Sequence, residues 1–589
     1  MLNRILYKRY GVALSSNQNQ IQVPKLIELL AKLCLDWKKT FVVKLSPQYR
    51  SNSIKTASQE MFDVIIIGGG VTGAGIALDA QNRGLKVLLL EKGQFGSGTS
   101  SRSTKLIHAG IRYLKQGHIN LVRETGKERK ILAKIVPHLV KPIRIIIPIY
   151  KKDTLSPWKM RFGMKFFEWL VAVVPNEKSK WFSAQFLKKI VSGISTNQLL
   201  GGMSYYERLT TDSRLVLELV KKSAKLGASV LNYTYANDYQ YTEDNKVVVK
   251  VDDLLQNSTF AVTGNVLINS AGPWVDHIRK KDTGFQHTKL TLTKGVHLVF
   301  DQSDFYLNAA VYFSGSDNRM IFAVPKFNKV YVGTTDTFYD EDPDDVKVEE
   351  PDANYLLDAI NFRFPNKKIT IHHIESTWAG LRPLIGDSRG KKPSEISRKD
   401  EIIMSSSGLY SIAGGKLTGY RLMAKKIVDL ILKKEFSFFE KCTTDQLLLV
   451  ENEHLQLENL SKELCTTYID IDCLTIDKLI ALFGESTKEI LSQIKNEEQQ
   501  LLDPIMKSVI DYVVENEGCT SPVDLVMIHT DWLYFEINWI IKEQQSIVDY
   551  MESLFKWSND FKIKIREDFQ TKIDEASLKT IKNSEDNQK

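Results

Sequence analysis

An α/β fold with an interleaved antiparallel β-rich region and an all-α C-terminal part is predicted by three features of this 589-residue chain. The first is "FDVIIIGGGVTGAGIALDAQNRGLKVLLLEK", residues 62–92, which reads as apolar strand, glycine turn, alanine-rich helix and second apolar strand. The second is a run of alternating apolar and polar residues broken by glycine and asparagine turns, as in "LTKGVHLVFDQ" and "AAVYFSGSDNRMIFAVPKFNKVYVGTTDTFYD". The third is Leu, Ile and Val at helical spacing, laced with charge, from about residue 433 to about residue 573.

The first feature is one βαβ unit. Gly68, Gly70 and Gly73 fit G-x-G-x-x-G: one glycine for the tight turn, one for close approach of backbone to a pyrophosphate, one for helix–strand packing. The free N–H groups and dipole of the following helix then face phosphate. Glu91 ends the second strand, where a carboxylate accepts both ribose hydroxyls and disfavours a 2′-phosphate. Two later segments, "VLINSAGPWVD" (266–276) and "GLYSIAGGKLTGYRLMAKKIVDLIL" (408–432), are each a strand followed by a turn of small residues. Both return the chain to the same sheet. A chain that leaves a nucleotide fold twice and comes back suits FAD lying between two regions better than NAD.

The expected layout is a basic extension at 1–60, a Rossmann-like FAD-binding domain at 61–432 interleaved with a β-rich substrate domain (about 140–265 and 285–400), a helical domain at 433–575 and a frayed polar tail at 576–589. Composition is that of a globular protein, with 43% hydrophobic and 25% charged residues. No apolar run approaches the ~18 residues that cross a bilayer. The net charge of +8 is uneven, with ten Lys or Arg against only Glu28 and Asp36 between Met1 and Gln59, a pattern of transit peptides and of basic membrane-facing arms. The five cysteines (Cys34, Cys442, Cys465, Cys473, Cys519) form no CxxC pair and are expected as reduced thiols. "DIDCLTID" (470–477) lacks the glycine and third ligand of a calcium loop, so no metal site is expected.

Block by block the chain resembles the FAD-dependent glycerol-3-phosphate dehydrogenases, in the bacterial form with a helical C-terminal domain. The resemblance rests on "IIIGGGVTGAGIALDA", "GTSSRSTKLIHAGIRYLKQG", "YYERLTTDSRL", "NSAGPWVD", "LTKGVHLVFDQ", "YVGTTDTFYD", "ESTWAGLRPLI", "PSEISRKDEI" and "IAGGKLTGYR", in that order from about Met61 to about Trp557. It implies oxidation of sn-glycerol 3-phosphate to dihydroxyacetone phosphate, with electrons passed on to membrane quinone. Matching those motifs, Arg112, Arg382, Arg398 and Lys416, with Arg319 less firmly, look like the substrate pocket. Arginine's planar fork suits a phosphate dianion.

Removing the hydroxyl proton needs a base, and His108 and His297 are the candidates, His108 first because it lies four residues before Arg112. A cationic pocket keeps such a ring neutral. Arg382 suits developing alkoxide charge. The hydroxyls of Ser100, Ser101, Ser103 and Thr104 suit flavin contacts, as do the turns holding Ala271, Gly272, Gly414, Gly415, Lys416, Leu417 and Thr418.

Quinone is insoluble in water, so peripheral membrane contact is expected, through "SPWKMRFGMKFFEWLVAVVP" (156–175) read as an interfacial helix with Arg161, Lys165 and Glu168 on a narrow polar face. Ile528 and His529 stand where relatives tend to carry paired arginines, which puts ionic contacts by the helical domain in doubt. The expected site is the cytoplasmic face of a bacterial inner membrane, or the mitochondrial inner membrane if residues 1–60 are a transit segment. A homodimer is the expected assembly, with no nucleic-acid partner. Two other readings stay open: an oxidase delivering electrons to O₂, for which an insertion of about fifty residues is missing, and a non-catalytic flavin or nucleotide sensor.

Overall fold

The parallel strands of the nucleotide-binding sheet all end at one edge, and that edge organises the molecule. In the computed structural model Met61–Ile67 pairs in parallel with Val87–Leu90 on one side and with Ser258–Asn269 on the other. Ser258–Asn269 pairs in parallel with Tyr410–Ala413. Ile67, Leu90 and Asn269 lie in register, with Ser411 opposite Asn269, so the four turns that follow these strands converge. Met61–Ile67 is buried on both faces over its last four residues, as its unbroken apolar run requires. The structure describes residues 43–589 apart from 112–113, 115–116, 152–155, 283–284, 286–289, 387–399, 415, 451–455, 495–501 and 587–589.

The other large sheet is mostly antiparallel, its long pairs being Lys141–Tyr150 with Leu199–Leu209 and Leu290–Asp301 with Ile374–Ile385. Its inner face packs Leu298, Phe300, Val311, Ile321 and Val332 against Leu356 and Ile360 of the helix Glu350–Arg363. The sequence boundaries of the β-rich region are corrected here. The hairpin Thr234–Tyr241 and Val247–Asp253 joins the nucleotide sheet through Ser258–Asn269, so the first β-rich excursion closes at Leu209 and not near residue 265. Alternation marks a half-buried strand without naming its sheet.

Three further expectations change. The extension at 1–60 ends earlier: Pro47–Ala57 is a helix capped by Ser46, and Arg50 is buried on Asp253 at 2.6 Å. The all-α C-terminal part is present as expected, with only helices among the described residues from Leu457 on, and Lys44–Lys589 form one compact unit. The polar tail is tied down as well, with Leu578 inside the core under the antiparallel sheet and Lys582 donating to the Ile374 carbonyl at 2.6 Å. Cys465 and Cys473 are not free thiols but a disulfide, because a short turn brings the end of Leu457–Thr467 back to the start of Cys473–Phe483. Asp472 in that turn caps the second helix, accepting from the Thr475 N–H at 3.0 Å.

The doubt about ionic contacts from the helical region is overturned. Glu517 lies against Arg214 and Lys221 (Nζ at 3.0 Å), and His529 Nδ1 is 3.0 Å from the same carboxylate. Burial pushes the Glu517 carboxyl up, but the Arg214 and Lys221 charges outweigh it and hold the group well below the usual carboxylate range.

Candidate active site

At the converging strand ends the glycines are required by space. Gly68 has φ +101°, and a Cβ there would lie 2.7 Å from the Ser270 carbonyl oxygen. A Cβ on Gly73 would lie 1.8 Å from the Gly68 oxygen, so no side chain fits. The helix Val71–Asn82 starts at Gly70 without a side-chain cap, and Val71 donates its N–H to Ser100 Oγ at 2.9 Å. Glu91 accepts from the N–H of Gly69 at 2.6 Å and of Gly93 at 2.8 Å. Burial pushes its carboxyl up, and these backbone donors oppose that rise.

These groups wall a cleft with about 350 Å³ of free space, lined also by Thr99, Ala271, Gly272, Trp274, Gly414, Lys416 and Leu417. A turn with no room for Cβ atoms, an uncapped helix N-terminus and an acid on the neighbouring strand together fit a dinucleotide such as FAD: pyrophosphate at Gly68–Val71, ribose at Glu91.

The hydroxyl block divides in two. Thr99 and Ser100 line the cleft, whereas the side chains of Ser103 and Thr104 are held by other partners. Ser103 places its N–H (3.0 Å) and hydroxyl (2.6 Å) on Asp212, and Thr104 Oγ1 is 3.0 Å from His297 Nε2. Thr99 Oγ1 donates to the Leu381 carbonyl at 2.6 Å, and Trp378 Nε1 donates to the Ser103 carbonyl at 3.1 Å. The loop is thus fastened to the strand that carries Arg382.

On that strand Arg382 holds its guanidinium between Asp336 (3.2 Å), the Thr335 carbonyl (3.3 Å) and Thr334 Oγ1 (2.9 Å). The fork lies over Gly295, where a Cβ would meet it at 2.3 Å. His297 belongs to the same sheet but is only 1% exposed and stacks on Trp378 with ring centres 4.7 Å apart. Burial, then the charges of Arg382 and Lys105, hold its ring well below the usual histidine range, so it is neutral. It stands behind the cleft wall, not in it.

The His108 backbone is stitched to Thr418, whose hydroxyl lies 3.1 Å from the His108 nitrogen and 3.2 Å from its carbonyl oxygen. That brings the "IHAG" and "GGKLTG" blocks together, with Lys416 on the cleft wall and Thr418 buried behind it. Arg319 sits away from the cleft lining, at a hairpin tip between Ala310–Ser314 and Met320–Lys326, paired with Asp317 at 3.3 Å and over the Tyr355 ring. Arg112, Arg398 and Gly415 lie outside the described residues.

Sequence reasoning missed the supports. Glu207 accepts both from the Ala109 N–H at 3.2 Å and from Arg129 at 2.7 Å. Asp212 grips the loop, Asp336 orients Arg382, and Trp378 carries His297. The "YYERLTTDSRL" block already held Glu207 and Asp212, but its mixture of polar and apolar residues does not mark either as buried.

Residues 63–424 match the family model described as FAD dependent oxidoreductase, and 442–562 match the C-terminal domain of alpha-glycerophosphate oxidase. The aerobic glycerol-3-phosphate dehydrogenase of Staphylococcus saprophyticus is 40% identical over 548 residues, 91% of this chain and 98% of that protein. The Bacillus subtilis protein of the same name is 38% identical over 540 residues, 90% of this chain and 97% of that one. The solved glycerol-3-phosphate dehydrogenase from Bacillus halodurans, complexed with FAD, superposes with a TM-score of 0.77 at 35% identity, covering 90% of this chain and 98% of that chain. The chain belongs to the aerobic glycerol-3-phosphate dehydrogenase family of FAD-dependent oxidoreductases.

Proposed function

We propose that the chain oxidises sn-glycerol 3-phosphate to dihydroxyacetone phosphate and passes the electrons to membrane quinone. The observation that carries this reading is the dinucleotide cleft walled by Lys416, close to the clamped Arg382 strand, in a chain aligned over nine-tenths of its length with enzymes of that name. Lys416, with Arg112 and Arg398 from the resemblance, holds the phosphate dianion. Arg382, its fork fixed by Asp336 and Thr334, stabilises the oxygen as its proton leaves. His108, pinned by Thr418, takes that proton. His297, buried and bonded to Thr104, serves as a positioning group. FAD, when bound, supplies the two-electron acceptor for the hydride that leaves the carbinol carbon.

Quinone access is supported by the helix Pro157–Val171, which buries Met164, Phe167 and Val171 on one side. Its outer side exposes Trp158 (67%), Phe162 (73%) and Trp169 (72%), with Lys159 and Arg161 on the same helix. Arg123, Lys127 and Lys130 adjoin Trp169 around a shallow groove. Rigid aromatics beside cations suit the boundary of an anionic bilayer. Among the described residues no helix is long and apolar enough to cross a membrane, which fits peripheral attachment.

One assay tests the reading. Glycerol 3-phosphate is expected to bleach the bound flavin, a quinone analogue to restore its colour, and peroxide to stay low. Peroxide formed in proportion to substrate would reassign the acceptor to O₂, and an unbleached flavin would remove the substrate.

A further inference from the structure

We infer that Asp531, in the helical region, is a positioning residue for the cleft: through Lys105 it holds the Gly98–Lys105 loop in its working place. The inference rests on the function proposed above. Lys105 and Asp531 are 426 residues apart in sequence, and both are buried.

Asp531 Oδ1 is 3.3 Å from Lys105 Nζ, and Oδ2 is 3.0 Å from Lys326 Nζ. Lys105 Nζ also meets Asp212 Oδ1 at 2.7 Å and the Ser101 carbonyl at 3.1 Å. Two ammonium groups thus face two carboxylates in a closed, charge-balanced set, a condition for burying any of them. Lys105 (φ +53°) and Asp531 (φ +60°) both hold the left-handed backbone conformation, which costs a non-glycine residue free energy and persists only where surrounding contacts enforce it.

The loop between this cluster and the cleft is held residue by residue. Ser103 is held by Asp212, Thr104 Oγ1 meets His297, and the Thr104 carbonyl accepts from Tyr331 at 2.9 Å. Thr99 reaches the Leu381 carbonyl, next to Arg382, and Thr99 and Ser100 line the cleft. A shift of the Lys105 ammonium therefore reaches Thr104 and His297 on one side and the cleft wall on the other. The helical region acts on the reaction from behind, since among the described residues none of it lines the cleft.

The test compares holoenzymes carrying Asp531→Asn, Thr104→Val or both, by the rate at which glycerol 3-phosphate bleaches flavin, per bound FAD. Each single change is expected to slow bleaching about tenfold, and the double variant to be no more than about twofold slower than the worse single one, because both break one connection. Losses that multiply, or an Asp531→Asn rate within about twofold of the parent, overturn the inference. Deuterium exchange gives a second readout: Asp531→Asn is expected to speed exchange at 99–107 and leave 61–67 unchanged, and equal exchange at 99–107 overturns it. Should Asp531→Asn fail to retain FAD, Asp531→Asn with Lys326→Met keeps the buried charges balanced and carries the same comparison. A parent flavin that glycerol 3-phosphate does not bleach refutes the proposed function, while the exchange result still decides the role of Asp531.

Discussion

The nucleotide cleft and the buried seam beneath the helical region are both made of strong polar interactions, but from different parts of the residue. The cleft is backbone: Gly68, Gly70 and Gly73 clear space, and the N–H groups of Gly69 and Gly93 hold Glu91. The seam is side chain: Arg214 with Glu517, Lys221 with Glu517, Lys105 and Lys326 with Asp531. A backbone site is intolerant of added atoms, because the clash is with main chain that cannot move. A side-chain site is intolerant of removed charge, because the partner is left buried and unpaired. The two regions therefore break in opposite ways.

Gly73→Ala should have the largest effect. Its methyl would sit 1.8 Å from the Gly68 oxygen, so the turn must open, and the purified protein is expected to lose nearly all bound FAD, read as flavin absorbance per protein. Normal flavin content would mean that the cradle is looser than its geometry.

Next is Glu517→Gln, which removes one charge without adding volume. It leaves Arg214 without its main carboxylate, although Glu218 remains 3.1 Å away, and a loss of about 3–5 kcal/mol in denaturant unfolding is expected with FAD stoichiometry unchanged. A loss under about 1 kcal/mol would show the seam to be dispensable.

His138 sharpens the comparison through pH. Its ring is 3% exposed, lies on Gly484, and neither nitrogen has a hydrogen-bond partner among the described residues. Burial, then Arg214, Lys221 and Lys141, holds its pKa well below the usual histidine value. Below about pH 6.5 the unfolded chain takes up a proton that the folded protein refuses, so this histidine costs about 1.4 kcal/mol of stability per pH unit of acidification until the folded pKa is reached. His138→Phe is expected to flatten stability below pH 6.5 by that slope and leave it nearly unchanged above pH 7.5. An unchanged slope would mean that the ring is already charged in the fold.

The smallest effect on stability belongs to Trp158, Phe162 and Trp169. Exposed at 67%, 73% and 72%, they should be replaceable together by serine at a cost of about 0.5 kcal/mol or less each, while binding to vesicles of anionic phospholipid falls strongly. Undiminished vesicle binding would remove this helix from the membrane contact.

Much of the site was legible from the chain alone. The βαβ unit at 62–92, its three glycines and Glu91 all fall at the converging strand ends, and the two returning strands joined the sheet as their apolar runs implied. The hydroxyl run was half legible: its polarity marked the block, but Ser100 faces the cleft while Ser103 faces Asp212, and nothing in a serine says which way it points. The helix Pro157–Val171 was read as a helix, yet Phe162, its most exposed aromatic, was not singled out.

Local spacing was enough to determine the nucleotide turn, because strand, glycine and helix N-terminus act through backbone geometry within about thirty residues. Tertiary structure alone decided the seam and the supports of Arg382 and His297. Those pairs join residues as far apart as 303 and 426 positions, and a charged side chain acquires its partner only when the fold takes both away from water.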